Sequence, residues 1–248
     1  MQQKGLNMNV SSLLNGASVS SVIVGADLAA PLTIREAAQA FTDAQVAECV
    51  DALDQSFERR DFFEIANNLD LDASNSYTKA RDKMLANKVS VARFLLALDV
   101  QPSAVIERKV AETKMFNAKA LDKVTELAVA VLNNTAHAIS KVQKVTVAFI
   151  ACALAFDNGD AIDNKVNKQF LSNNDVSKMV ANDDIAEYVS AYQHKYITGG
   201  KDTQSSQVRN VLDVLGLGSI VSNERARGAI MLNGDSFFFD WFRASYLK

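Results

Sequence analysis

The sequence predicts a mainly α fold: one or two multi-helix domains with a small C-terminal β-hairpin of winged-helix-like outline. Three observations predict it. Only Pro31 and Pro102 occur in 248 residues, and proline is the residue that breaks helices, through its missing donor and its ring clash. Ten glycines are few for an all-β chain, which needs tight turns at short intervals. Apolar residues make up 48% of the chain and charged residues 22%, enough to bury a sizeable core. The expected organisation is an arm or short strand over 1–32, a helical domain over 33–157, and a second helical domain over 158–248.

Taken in order, residues 1–32 are small and polar, with one apolar island from Val19 to Leu28. Thr33 is placed to cap I-R-E-A-A-Q-A-F. Thr42 followed by Gln45 is a capping-box pattern. It starts a helix running to about Arg60, with Val46, Cys49, Val50 and Leu53 at helical spacing. A separate short helix is expected around Phe62, Phe63, Ile65 and Ala66. Further helices are expected over K-A-R-D-K-M-L-A after Ser76 or Thr78, and over V-A-R-F-L-L-A-L after Ser90. Another should begin at Pro102, which suits a first helical turn. Asn117 caps the clearest helix, whose buried stripe should be Leu121, Val124, Leu127, Ala128 and Val131. The run from Val142 to Phe156 is apolar all round, as in a central buried helix.

After Asp157 the chain turns more polar. Ile185, Val189 and Tyr192 mark a helix ending at Gly199–Gly200. Residues 204–215 then form an amphipathic run. Val208, Val211, Leu212 and Leu215 fall on one face; Ser206, Arg209, Asn210 and Asp213 fall on the other. Two apolar runs follow, R-G-A-I-M-L and S-F-F-F-D-W-F. They are joined by N-G-D, a hairpin signal because Asn and Gly tolerate positive φ. In this reading both runs are strands of a wing.

That outline carries the functional expectation, a non-enzymatic nucleic-acid-binding or regulatory protein with DNA as partner. Ser206, Arg209 and Asn210 can bond base edges or phosphates. Arg225 and Arg227 stand at the base of the wing. A second helix–turn–helix candidate spans 92–109, with Gln101, Ser103, Arg108 and Lys109 on its outer side and Asp99 where such turns want glycine. A shift of 116 residues aligns S-V-A-R-F-L-L at Ser90 with S-Q-V-R-N-V-L at Ser206, a faint internal repeat.

The alternative is a self-associating structural or assembly protein. The formal net charge of −3 suits protein partners better than phosphate. Charge is also segregated. Residues 42–76 carry nine acids and two bases, a net of −7, while 77–124 carry ten bases and five acids, a net of +5. Head-to-tail pairing of these regions would build rings or filaments; the same charges could equally pair within one chain or be solvated. Phe237, Phe239, Trp241 and Phe242 are candidate partner contacts, because so many adjacent aromatics on a strand cannot all point into one small core.

Enzyme signatures are weak, leaving only a scattered, unrecognised site as a third reading. His137 and His194 have no ligand-spaced partner, so neither a metal nor a cofactor is expected. G-G-K-D-T at 199–203 lacks the upstream glycine of a phosphate loop and places Asp202 where Ser or Thr must bind magnesium. D-N-G-D-A-I-D at 157–163 lacks the alternation of a calcium loop. No catalytic residue is assigned. Cys49 and Cys152 do not make a disulfide framework, no run reaches membrane-spanning length, and V-I-V-G-A at 22–26 is too short for a signal-peptide core. A cytoplasmic protein is therefore expected.

Overall fold

A computed structural model describes residues 33–111, 114–133, 142–157, 159, 162, 176–197, 203–222 and 227–248. The arm expected over 1–32 lies outside them. The chain divides into Met1–Pro31 and Leu32–Lys248, and everything below concerns the second unit.

The fold is mainly α, with ten α-helices and two short antiparallel hairpins among the described residues. The helices are α1 (Ile34–Gln39), α2 (Asp43–Ala66), α3 (Ser76–Ala86), α4 (Lys88–Ala97), α5 (Pro102–Ile106), α6 (Ala118–Asn133), α7 (Lys144–Phe156), α8 (Asp183–Ile197), α9 (Thr203–Val214) and α10 (Phe237–Tyr246). Strands β1 (Lys109–Ala111) and β2 (Lys114–Met115) join α5 to α6, and β3 (Gly218–Ser222) and β4 (Arg227–Leu232) join α9 to α10.

Local chemistry accounts for the helix ends. Thr33 and Thr42 each close a full capping box, with Glu36 and Gln45 respectively. Each side chain satisfies an orphan N–H of the first turn. Three helices end on a residue in the left-handed region: Asn68 (φ 66°), Asp99 (φ 54°) and Gly216 (φ 67°). In each, the next N–H reaches back to a carbonyl of the last turn, as Leu69 to Glu64, Val100 to Leu95 and Leu217 to Leu212. That is the Schellman closure. Asp99 thus takes the conformation that usually calls for glycine.

The core is one continuous apolar cluster from Ile34 to Tyr246, and it crosses the boundary expected at 157/158. Leu121, Val124, Leu127, Ala128 and Val131 are all fully buried on α6. Helix α7 is buried on nearly every side, from Val145 to Ala153, as its sequence requires. Helix α6 packs against α3, α4 and α9; α2 packs against α4 and α5.

Two sequence expectations are corrected. The chain does not break after Arg60: α2 is one helix of 24 residues that runs on to Ala66. The run S-F-F-F-D-W-F is not a strand of a wing but the start of α10. Ser236 caps it by accepting from the Phe238 N–H. Phe238, Phe239, Trp241, Phe242 and Tyr246 then fall on one buried face at helical spacing. The strands of the hairpin are G-S-I-V-S and R-G-A-I-M-L, and N-G-D links β4 to α10. Gly218 is required in β3 because a Cβ there would lie 2.9 Å from the Met231 carbonyl oxygen.

The 116-residue shift lays α4 on α9 but sets helix α5 (Pro102–Ile106) against strand β3 (Gly218–Ser222), so the two segments match only in their first helix. The aligned residues Arg93 and Arg209 lie on α4 and α9 at corresponding places.

A buried arginine ties these parts together. Arg60 is 2% exposed. Its guanidinium donates to the Ile106 carbonyl at 3.0 Å and the Phe116 carbonyl at 2.6 Å, and to Glu64 Oε1 at 3.1 Å. It also lies 4.6 Å from the centroid of the Tyr77 ring. Burial pulls its pKa below the ordinary value, opposed by Tyr77 and Glu64. Arg60→Ala should leave two buried carbonyls unpaired and cost about 3 kcal/mol. Arg60→Lys should recover little, since an ammonium lacks the planar fork. Urea unfolding of the two variants checks both.

Three carboxylates are held below their ordinary values: Glu36 by the Thr33 N–H, Asp72 by the Ser74 hydroxyl, and Glu107 by Arg59. A carboxylate with a depressed folded pKa stabilises fully above its unfolded pKa and loses that contribution as pH falls through the folded value. For Glu107 the loss begins below its ordinary value of 4.5. The urea midpoint should therefore fall from that pH downward, and Glu107→Gln should flatten part of the fall.

Candidate interaction surfaces

Helix α9 forms where the sequence predicts, but little of it faces solvent. Val208, Val211, Leu212 and Leu215 are buried as expected. Gln207 and Arg209 are buried too, each 8% exposed, because α9 is packed by α6, α7 and β3. Ser206 is exposed and Asn210 half-buried. Arg209 Nη2 donates to Ser206 Oγ at 3.1 Å. Asp213, placed on the outer face by the sequence, accepts from the Ile220 N–H at 3.2 Å and from Arg108 at 2.5 Å. It joins α9 to β3 and to the segment before β1. Arg225 lies outside the described residues. Arg227 opens β4 opposite Ser222, and its side chain is likewise outside them. A groove-reading helix must keep one polar face free for base edges; among the described side chains of α9 that face comes down to Ser206 and Asn210.

On α4 the aligned Arg93 joins separate helices. Its guanidinium donates to the Ala38 and Phe41 carbonyls and to Asp43, locking α1 and the start of α2 against α4. The second candidate, 92–109, is a helix pair turning at Asp99. Gln101 and Ser103 are exposed, but α5 has five residues, which gives little length to lie in a groove. Arg108 is engaged by Asp213, and Lys109 Nζ sits 5.0 Å from the Phe63 ring centroid.

The C-terminal aromatics are mostly internal. Phe239 and Phe242 are fully buried, and Trp241 is 7% exposed. Phe238 packs on Phe94, Phe239, Trp241 and Phe242. Phe237 alone of the aromatic candidates stands out, at 43% exposure.

Charge segregation is answered in part inside the chain. Three acids of α2 pair with bases of α3 and α4: Asp61 with Arg81, Asp54 with Lys88, and Asp43 with Arg93. Arg59 of α2 pairs with Glu107 in return.

What the sequence did not single out is the outer face of α2. The last deeply buried residue of this helix is Arg60, and the turn and a half after it runs past the core. Phe62 is 77% exposed and Ile65 59%. Counting 100° per residue, they share one stripe with Ala44, Glu48, Asp51, Gln55 and Glu58, all exposed. Beside that stripe, between α2 and α3, lies a cleft of about 330 Å³ lined by Asp54, Phe57, Glu58, Asp61, Arg81 and Leu85.

Chemistry of an enzymatic kind has little to build on in the described residues. No group of three or more His, Cys, Asp or Glu among them could hold a metal ion. Burial pushes the Cys49 thiol up to about 11 and the Cys152 thiol up to about 12, so neither is an activated nucleophile. His137 is outside the described residues, and His194 lies in α8 with its side chain outside them. Asp157 accepts from the Gly159 N–H at 3.2 Å in a turn; most of 157–163 and of 199–203 lies outside the described residues. No helix among the described residues is long and apolar enough to cross a membrane. The chain matches no family model, no curated protein and no solved structure.

Arg209→Ala should lower the thermal midpoint, costing about 1–3 kcal/mol, because it opens a buried polar position. Ser206→Ala should cost well under 1 kcal/mol, as exposed substitutions do. Calorimetry of both variants checks this. Equal, negligible effects would place Arg209 at the surface.

Proposed function

We propose that this chain is a non-enzymatic protein that acts by binding another protein. The observation that supports this reading is the end of α2. Phe62 and Ile65 stand in solvent on a helix that continues past its own core. Burying such side chains is worth about 1.5–3 kcal/mol each, and a partner surface gains that on contact. The aromatics that the sequence offered as a contact patch are largely spent on the core, so the contact shifts from α10 to α2. Self-association driven by charge has less to draw on, because three acids of α2 and the bases they meet are already paired within the chain.

A second reading keeps the winged-helix-like outline and contact with DNA. In its favour, Ser206 is exposed, Asn210 is partly so, and a hairpin follows α9. Against it stands the burial of Arg209, the residue best suited to phosphate or guanine.

Fluorescence anisotropy of labelled duplex and single-stranded DNA at several salt concentrations separates the two. The protein-binding reading expects no association even at low salt. Association that weakens steeply with salt, through counterion release, and that drops in Asn210→Ala would replace it with the second.

A further inference from the structure

We infer that the outer stripe of α2 docks a basic amphipathic helix of a partner protein, an inference that rests on the protein-binding reading above. The stripe has two halves of different chemistry. Its N-terminal part carries Glu48, Asp51 and Glu58, all exposed. Among the described residues none of the three makes an ion pair, whereas Asp43, Asp54 and Asp61 on the same helix all do. Its C-terminal part carries Phe62 and Ile65. One exposed helix face therefore presents unanswered carboxylates running into an apolar end.

The cleft supplies a pocket next to that stripe. Glu58 belongs to both, standing on its rim, while Phe57 and Leu85 line it with the methylenes and ring that a long side chain needs. Asp54 and Asp61 add carboxylate oxygens whose own partners, Lys88 and Arg81, sit on the α3–α4 side. A lysine or arginine of the partner would lay its aliphatic stem along Phe57 and Leu85 and bring its charge to Glu58. An apolar residue about two turns along the same partner helix would cover Phe62 and Ile65. Helix-in-groove recognition uses this combination of apolar anchors and flanking charge.

Charge decides the occupant. A second copy of this chain has fewer cations to offer, because several of its described basic residues are committed: Arg81, Lys88 and Arg93 to α2, Lys83 to Asp122 and Glu126 on α6, and Arg108 to Asp213. Nucleic acid is repelled by the same carboxylates. A cationic amphipathic helix answers both halves of the stripe.

The test uses the full chain and a labelled synthetic peptide of roughly 18 residues, about five helical turns. It is built from leucine and lysine at amphipathic spacing, with a leucine–glutamate counterpart as control. Anisotropy should report binding of the lysine peptide alone, weakened by salt. Phe62→Ser with Ile65→Ser should weaken it at least about tenfold, a loss of about 1.4 kcal/mol, and Asp51→Lys with Glu58→Lys should do the same. All four positions are exposed or partly so, and an unchanged circular dichroism spectrum and thermal midpoint confirm that each variant folds. Binding lost in the apolar pair but unchanged in the charge-reversed pair would overturn the basic partner and leave the apolar contact standing. Loss only in the charge-reversed pair would mean diffuse attraction and overturn docking at the stripe. No binding of the lysine peptide would overturn it too, as would a wild-type dimer in light scattering that the apolar pair abolishes. The protein-binding reading itself fails separately, on the DNA titration.

Discussion

The architecture depends on taking one charge out of water. Arg60 satisfies its guanidinium with two main-chain carbonyls, a carboxylate and an aromatic face. A buried charge is tolerated only when it is so completely paired. The two carbonyls belong to Ile106, at the end of α5, and Phe116, just before α6. The ring belongs to Tyr77 of α3, whose hydroxyl donates to Asp61 while Arg81 holds the other oxygen of that carboxylate. One residue of α2 thereby fixes three other helices. Arg93 repeats the device on a smaller scale, donating to the Ala38 and Phe41 carbonyls. Arg59, Arg81 and Arg108 are instead held by carboxylates of other elements.

The same constraint divides α2 in two. Up to Arg60 its inner face is core: Val46, Cys49, Leu53 and Phe57 are buried. Beyond Arg60 the deep core ends and only Asp61 and Phe63 keep neighbours from other elements, but the helix goes on until Asn68 closes it in the left-handed region. Phe62 and Ile65 are carried into solvent by a capped helix rather than by a loop. A contact surface held that way loses little conformational entropy on binding.

Much of this was legible in the sequence. The stripe of α6 and the all-apolar α7 follow from spacing alone, as do the threonine caps and the amphipathic α9. The errors have physical causes. Phe237 to Phe242 looked like a strand because consecutive aromatics favour strands, but Ser236 supplies a cap and the recurrence of Phe238, Phe242 and Tyr246 is helical. Splitting α2 at Arg60 hid its surface. Taken as one helix, Phe62 falls on the far side of the wheel from Leu53 and Phe57, with Ile65 beside it, which is the signal that could have found them. Arg209 could not be read as buried from its own helix, since α9 packs against α6 and α7 and both come from distant sequence.

The account turns on which helix is core and which end is free, and amide hydrogen exchange on the native chain measures that directly. Residues that open only with global unfolding exchange slowest, and locally opening ones exchange fast. The account predicts that amides of α9 from Val208 to Val214 are protected to the level of α6 and α7. Those of the last turn of α2, from Ile65 to Asn67, should exchange far sooner. If α9 exchanged as readily as that last turn, it would be a peripheral element, and the claim that it belongs to the core would be contradicted.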